Sequence, residues 1–374
     1  MNPRLDNFFS WLAASVVVTA GVVLELRHQE AQKRAKPVTP LARASPSQEP
    51  LELQQTRASE RGRGRAASAP SQIPWRGWRD IAARVGRKAQ DDRVLSLAGG
   101  VAFYSLLALV PALAAGVSLY ALFADASIIA GHVSLAAGVL PAEALDMVRN
   151  EITRIAQASD NKLTFRFLLG LGVALWSANA GVKAIFDALN IMYDETEERG
   201  FIRLNLISLV FTVGSIGAVL LAVAAVVALP LIETAFGRSS ADQSIIDILR
   251  WPAMFVLALA GLAILYRYAP SRRPAKWRWI SIGSIFAAAA WLAVSSLFSW
   301  YLSRFANYDA TYGALGAVVG LMMWLWLSTI VVLVGAEINS EIEHQTACDS
   351  TVGSEKPLGA RGAVMADTVG AAQS

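Results

Sequence analysis

The chain has 374 residues, 55% of them apolar and only 17% charged, with a mean hydropathy of +0.43. A soluble globular domain carries more charge than this, so the composition argues against an ordinary soluble enzyme. The net charge of +4 reads as basic loops kept on the cytoplasmic side of a membrane rather than as a nucleic-acid surface.

The apolar residues gather in runs of about 20 or more, the length a helix needs to cross roughly 30 Å of hydrocarbon. The runs are continuous rather than alternating, which disfavours membrane strands. The expected fold class is therefore all-α: a polytopic membrane bundle of six spans, preceded by a single hydrophobic helix and a disordered linker. One cysteine, Cys348, permits no disulfide within the chain, and His28, His132 and His344 lack metal-ligand spacing. No metal or other cofactor is expected.

In chain order, an apolar run over residues 8–26 is followed by Arg27, Lys33, Arg34 and Lys36. Residues 1–27 are expected to form an uncleaved anchor with its N-terminus outside. Residues 28–73 are rich in Pro, Ser, Arg, Gln and Glu without apolar periodicity, the composition of a disordered basic linker. "WRGWRDIAARVGRKAQDDRVL" then places Trp75, Trp78, Ile81 and Val85 at helical spacing among arginines. That pattern suits a helix lying in the interface, with tryptophans at headgroup depth.

Six spans follow, at about 97–123, 165–189, 204–231, 248–268, 280–302 and 313–338. Between the first two, "PAEALDMVRNEITRIA" puts Leu145, Val148, Ile152 and Ile155 on one face, the pattern of an amphipathic helix on the outer surface. Arg76, Arg79, Arg84, Arg87, Lys88 and Arg93 precede span one. Arg272, Arg273, Lys276 and Arg278 separate spans four and five. The positive-inside rule makes both segments cytoplasmic, so the six-span domain, residues 74–345, starts and ends on that side. Residues 346–374 are expected to be a disordered cytoplasmic tail.

Span two carries an unusual polar stripe. In "WSANAGVKAIFDALNIMYDETEER", turning about 100° per residue sets Lys183, Asp187 and Asn190 within roughly 80° of Asn179. Such a stripe is costly against lipid and should face helices or water. Two readings stand: a substrate pathway, or a snorkelling Lys183–Asp187 pair plus one interhelical amide bond. Span six ends with Glu337 and span four with Arg267, so Arg267 or Lys183 is a candidate partner for Glu337. In span one, Gly99 and Gly100 permit close helix contact, Tyr104 and Ser105 add polar groups, and Pro111 favours a kink. In span six, Gly313, Gly316 and Gly320 offer a small-residue packing surface.

"LAGGVAFYSLLALVP", the span-two stretch above, "LYRYAP", "YGALGAVVGLMMWLWLS" and "GAEINSEIE", in this order and spacing, resemble the YihY/BrkB family of bacterial inner-membrane proteins over roughly residues 75–343. The resemblance implies a six-span helical domain in the bacterial cytoplasmic membrane. It brings virulence-factor labels, an older ribonuclease BN label, and a suspected role in moving lipids or other envelope components. The sequence shows neither the carboxylate and histidine cluster that two-metal hydrolysis requires nor a phosphate-binding loop, so a nuclease or other enzyme is not expected.

Two functions of different class remain. One is a transporter or translocator of lipid or another envelope-related, anionic substrate. Its cavity would be bounded by spans one, two, four and six, with Lys183 or Arg267 attracting the headgroup. The other is a non-catalytic scaffold for envelope proteins. The expected partners are membrane lipids or envelope proteins, not nucleic acid.

Overall fold

The computed structural model describes residues 49–120, 150, 162–236, 240–305 and 315–373. The expected anchor at 1–27, the amphipathic helix at 141–156 apart from residue 150, and Gly313 lie outside the described residues. Among the described residues the regular structure is helical, with one isolated antiparallel bridge between Ala275 and Thr351.

A short helix α1, Leu51–Ala58, leads through a 3₁₀ turn at Pro70–Gln72 into α2, Trp75–Asp91. Six long helices follow: α3 Val94–Tyr120, α4 Lys162–Met192, α5 Phe201–Phe236, α6 Ser240–Tyr268, α7 Trp277–Phe305 and α8 Leu315–Gln345. A four-residue helix α9, Val364–Asp367, lies in the tail. By length and composition, four segments suffice to cross a membrane: Leu168–Met192, Phe201–Leu221, Trp277–Leu302 and Val318–Gln345. The count is five if α2 and the start of α3, bent by 60°, are taken as one span. That bend falls at 92–93, where Arg93 has φ 51°, the left-handed conformation that breaks a helix. Further along, α3 runs through Pro111 as one helix.

The long helices pack as a curved row in the order α5, α4, α3, α8, α7, α6. Two glycine contacts set the tightest approaches. A Cβ on Gly181 of α4 would lie 3.2 Å from the Ala108 Cβ of α3. Where α7 crosses α8, a Cβ on Gly283 would collide with the Gly335 carbonyl, and one on Gly335 would lie 2.5 Å from the Tyr266 hydroxyl. The Asn339 amide locks this crossing by accepting the Gly283 N–H at 2.8 Å. The packing glycines are thus Gly181, Gly283 and Gly335. Gly316 is buried, but a Cβ on Gly320, Gly99 or Gly100 would meet nothing within 4 Å. The expected contacts at those three glycines are not made, because small-residue spacing marks a possible seam without saying which face a neighbour occupies.

The core concentrates at one end of the row, here called the base, where α2, the α4–α5 and α6–α7 loops and the C-terminal end of α8 meet. Its largest fully buried side chains include Trp279, Tyr193, Tyr266 and Phe186. Beneath them lie two stretches whose composition reads as disordered, and both are built into the structure. Residues 49–73 and 346–373 bond to each other and to the bundle. Arg65 donates to the Gln345 and Gly370 carbonyls at 3.1 and 2.6 Å, Thr346 to the Ala67 carbonyl at 2.6 Å, and the Val369 N–H to Gln54 at 2.6 Å. Arg361 donates to the carbonyls of Ala347 and Ala366 within the tail. Low apolar content hides this order from the sequence, because buried arginines and backbone carbonyls supply the cohesion that apolar side chains supply elsewhere.

Candidate functional site

Two charge-rich places occur at the base, and they differ in how their cations are satisfied. The first is the seam where α2 lies against α8. The buried face of α2 is Gly77, Asp80, Ile81 and Arg84, with Lys88 one turn on. Arg84 pairs with Glu341 through Nε and donates to Gln345 at 2.7 Å. Asp80 takes Arg63 at 2.7 Å. The Lys88 ammonium stands among three carboxylates, 3.0 Å from Asp194, 3.7 Å from Glu337 and 3.9 Å from Asp92. Glu337 is therefore partnered by Lys88, not by Lys183 or Arg267. From sequence Lys88 is only one of the loop charges, since nothing in the spacing of α2 announces which α8 residue it will meet.

The second place is a cavity of about 1170 Å³ between α5 and α6, the two ends of the helix row. Arg203, Leu206, Val210 and Phe211 of α5 form one wall, and Ile264, Arg267 and Tyr268 of α6 the other. The α6–α7 loop, with Arg272 and Arg273, and tail residues 362–364 and 367–368 close the basal end. Leu206, Val210 and Ile264 are 62%, 63% and 45% exposed, so the walls are open apolar surface.

The arginines are held in different ways. Arg272 is fully buried, pairs with Glu343 at 2.6 Å and lies 4.4 Å over the Tyr193 ring. Burial works against its charge, but Glu343 together with Tyr193 and Glu195 outweighs burial and the net shift is upward. Arg267 donates to the Ala275 carbonyl at 2.8 Å and stacks 4.3 Å over the Trp277 ring. Arg199 is neutralised by Glu197 at 2.6 Å. Acids line the cavity too. Glu49 is paired with Arg57, and Asp367 accepts the N–H groups of Arg361, Gly362 and Ala363. Glu195 accepts the Val364 N–H at 2.8 Å, and burial pushes its pKa up to about 7. Glu198 also lines the cavity.

The polar stripe of α4 does not form one surface. Asn179 is buried and accepts a hydrogen bond from Thr212 of α5 at 3.0 Å. Asn190 is buried at the base, donating to Glu197 at 3.1 Å and accepting the Ser271 N–H at 2.7 Å. Lys183 is half-buried with its ammonium 5.2 Å from the Trp176 ring centroid, and Asp187 is exposed. A spread of about 80° around a helix is enough to send one end of a stripe into a seam and the other end out of it. Tyr104 is exposed beside Phe103, and Ser105 lies close to Gly181. Of the residues proposed from sequence for a substrate pathway, Arg267 alone is among those lining the cavity. The cavity lies between α5 and α6, the helices of the expected third and fourth spans, rather than among the helices of the expected first, second, fourth and sixth.

The sequence model described as Virulence factor BrkB matches residues 85–358, well over half of the chain. This chain belongs to the YihY/BrkB family. YihY/BrkB relatives include YfkH of Bacillus subtilis (strain 168), named as ribonuclease-like, which is 36% identical over 54% of this chain and 73% of its own. A UPF0761 membrane protein of Idiomarina loihiensis is 29% identical over 69% of this chain and 89% of its own. Another, from Cronobacter sakazakii, is 30% identical over 67% of this chain and 84% of its own. No solved structure matches. The YihY/BrkB match spans α3 to α8, the C-terminal part of α2 and both helical walls of the cavity, and ends inside the tail. Among the described residues no group of three or more His, Cys, Asp or Glu is arranged to hold a metal ion.

Proposed function

We propose that this membrane protein is a translocator of lipid or of another envelope-related anionic substrate, with the α5–α6 cavity as its route. The observation that carries the reading is the pairing of open apolar walls with arginines at one end of the same hollow. Acyl chains lie at low cost along Leu206, Val210 and Ile264, while an anionic group meets guanidinium donors. In this reading α3 to α8 are six spans, each of 27 to 36 residues, ample for roughly 30 Å of hydrocarbon. The base, which gathers Arg76, Arg79, Arg87, Arg272, Arg273 and Lys276, faces the cytoplasm. The membrane is then the bacterial inner membrane, and lipid reaches the cavity sideways from its cytoplasmic leaflet.

The test is reconstitution of the purified full chain in liposomes, following the loss of a fluorescent lipid from the protected leaflet. Leu206→Trp with Val210→Trp should fill the cavity and slow exchange about tenfold, the factor that 1.4 kcal/mol represents. Unchanged thermal stability in detergent would show that the fold is kept. Wild-type vesicles that exchange lipid no faster than protein-free ones would sink the reading and favour the scaffold alternative.

A further inference from the structure

We infer that the basal end of the α5–α6 cavity is a headgroup site for an anionic glycerophospholipid, with Arg203, Arg267, Arg272 and Arg273 holding its phosphate. This inference rests on the cavity being lipid-accessible, as proposed above, and adds the chemical class of the lipid.

Unspent donors are the main ground. Arg267 Nε, Arg272 Nε, Arg272 Nη1 and Arg273 Nη1 are buried nitrogens without a hydrogen-bond acceptor. Among the described residues, every buried guanidinium nitrogen in that condition belongs to one of these three arginines, and all three line this cavity. A buried donor left unpaired costs about 1–3 kcal/mol, more when charged. Each such group in a folded protein calls for an explanation, and a bound ion or ligand that completes it is one. The seam makes the contrast for guanidinium donors, since Arg84 finds Glu341, Gln345 and the Ala371 carbonyl, and the unpaired buried atoms there are carboxylate oxygens of Asp92, Asp194 and Glu337 and the His344 nitrogens.

Charge is the second ground. Arg272 and Arg199 have carboxylate partners, whereas Arg203, Arg267 and Arg273 have none among the described residues. Glu49 and Asp367 are already engaged. Glu198 and Glu195 are the remaining lining acids, and Glu195, at about 7, is only half ionised near neutrality. Positive charge stays in excess, which favours a phosphodiester without a compensating cation. Planar guanidinium forks suit phosphate oxygens, two donors at a time.

Shape is the third ground. Free phosphate has no use for an apolar wall. Leu206 and Val210 lie one and two turns beyond Arg203 along α5, and Ile264 lies one turn from Arg267 along α6. Both arginines thus sit at the foot of an apolar strip on their own helix. That arrangement places a charged head at the base and chains along the span.

The experiment uses the full chain in nanodiscs of phosphatidylcholine doped with phosphatidylglycerol, reading protein-bound lipid by native mass spectrometry. The wild type should retain phosphatidylglycerol over phosphatidylcholine. Arg203→Gln with Arg273→Gln should reduce that preference about tenfold. Arg273→Lys should restore only part of it, because an ammonium replaces a fork by a point charge. Addition of inorganic phosphate should not displace the lipid.

A variant that keeps the full preference overturns the site. So does equal retention of phosphatidylcholine or phosphatidylethanolamine by the wild type. Displacement by inorganic phosphate would assign the arginines to a free anion instead. Lipid exchange without headgroup preference would defeat this inference and leave the translocator standing. Preference without exchange would do the reverse.

Discussion

The α2–α8 seam and the α5–α6 cavity hold similar side chains at the same end of the molecule, yet they are opposite in kind. At the seam the cations are met by acids, at the Arg84–Glu341 and Arg63–Asp80 pairs and at Lys88 among its three carboxylates. At the cavity the arginines keep donors in hand, and the surrounding apolar side chains are exposed rather than packed. Charges that close on each other build an interface. Charges that remain open beside apolar surface specify something that arrives from outside.

The sharpest way to break the comparison is to unbalance the seam. Glu341→Ala leaves the Arg84 charge buried without its carboxylate, and the expected loss is about 3–5 kcal/mol. It should appear as a fall in the unfolding midpoint in detergent, and Arg84→Met on the same background should recover part of it. Lys88→Met should cost less, about 2–3 kcal/mol, because Asp92 and Asp194 keep some contact with water. Adding Glu337→Gln should restore stability if the Lys88 cluster is held by charge balance. Gly335→Ala probes a purely steric contact beside the seam. Its Cβ would stand 2.7 Å from the Ala287 Cβ, an overpacking worth about 1–3 kcal/mol.

A smaller effect sharpens the cavity side. Glu195 ties the tail to the α4–α5 loop through the Val364 N–H. Burial raises its pKa from 4.5 to about 7 in the folded chain. A raised value means the folded state holds the proton more tightly. The contribution to stability is therefore complete below about 4.5 and is lost as pH rises through about 7. Residues 346–373 should resist protease better at mildly acidic than at alkaline pH, and Glu195→Gln should flatten that dependence. The smallest stability change is expected at Arg203, the exposed cavity arginine. Arg203→Gln should move the unfolding midpoint by less than about 0.5 kcal/mol equivalent, as exposed positions do. A large loss there would make the cavity a second seam.

Much of the fold was legible from local pattern. The long helices, the amphipathic α2 and the basic end all follow from apolar run length, helical spacing and clustered arginines. The candidate site was far less so. Asn179, Lys183, Asp187 and Asn190 attract notice because each is polar inside an apolar run, but Asn179 is a packing group at a helix contact and Asn190 one at the loops of the base. Arg272 and Arg273 attract none, because basic residues after a span read as orientation signals. The break at "YAPSRRP" is the one local hint, since Pro270 and Pro274 fix a loop rather than a free linker.

By itself, then, the sequence determined that the chain is helical, that it is made for a membrane, which family it belongs to and which end is basic. These properties follow from residue type and spacing within single segments. Only the tertiary structure decided that Lys88 meets Glu337, that Gly283 and Gly335 form the crossing, that residues 49–73 and 346–373 are built in, and that α5 and α6 leave a cavity between them. Each of those depends on which faces of distant segments meet, a matter of packing and of pairing buried charge that no stretch of sequence carries alone.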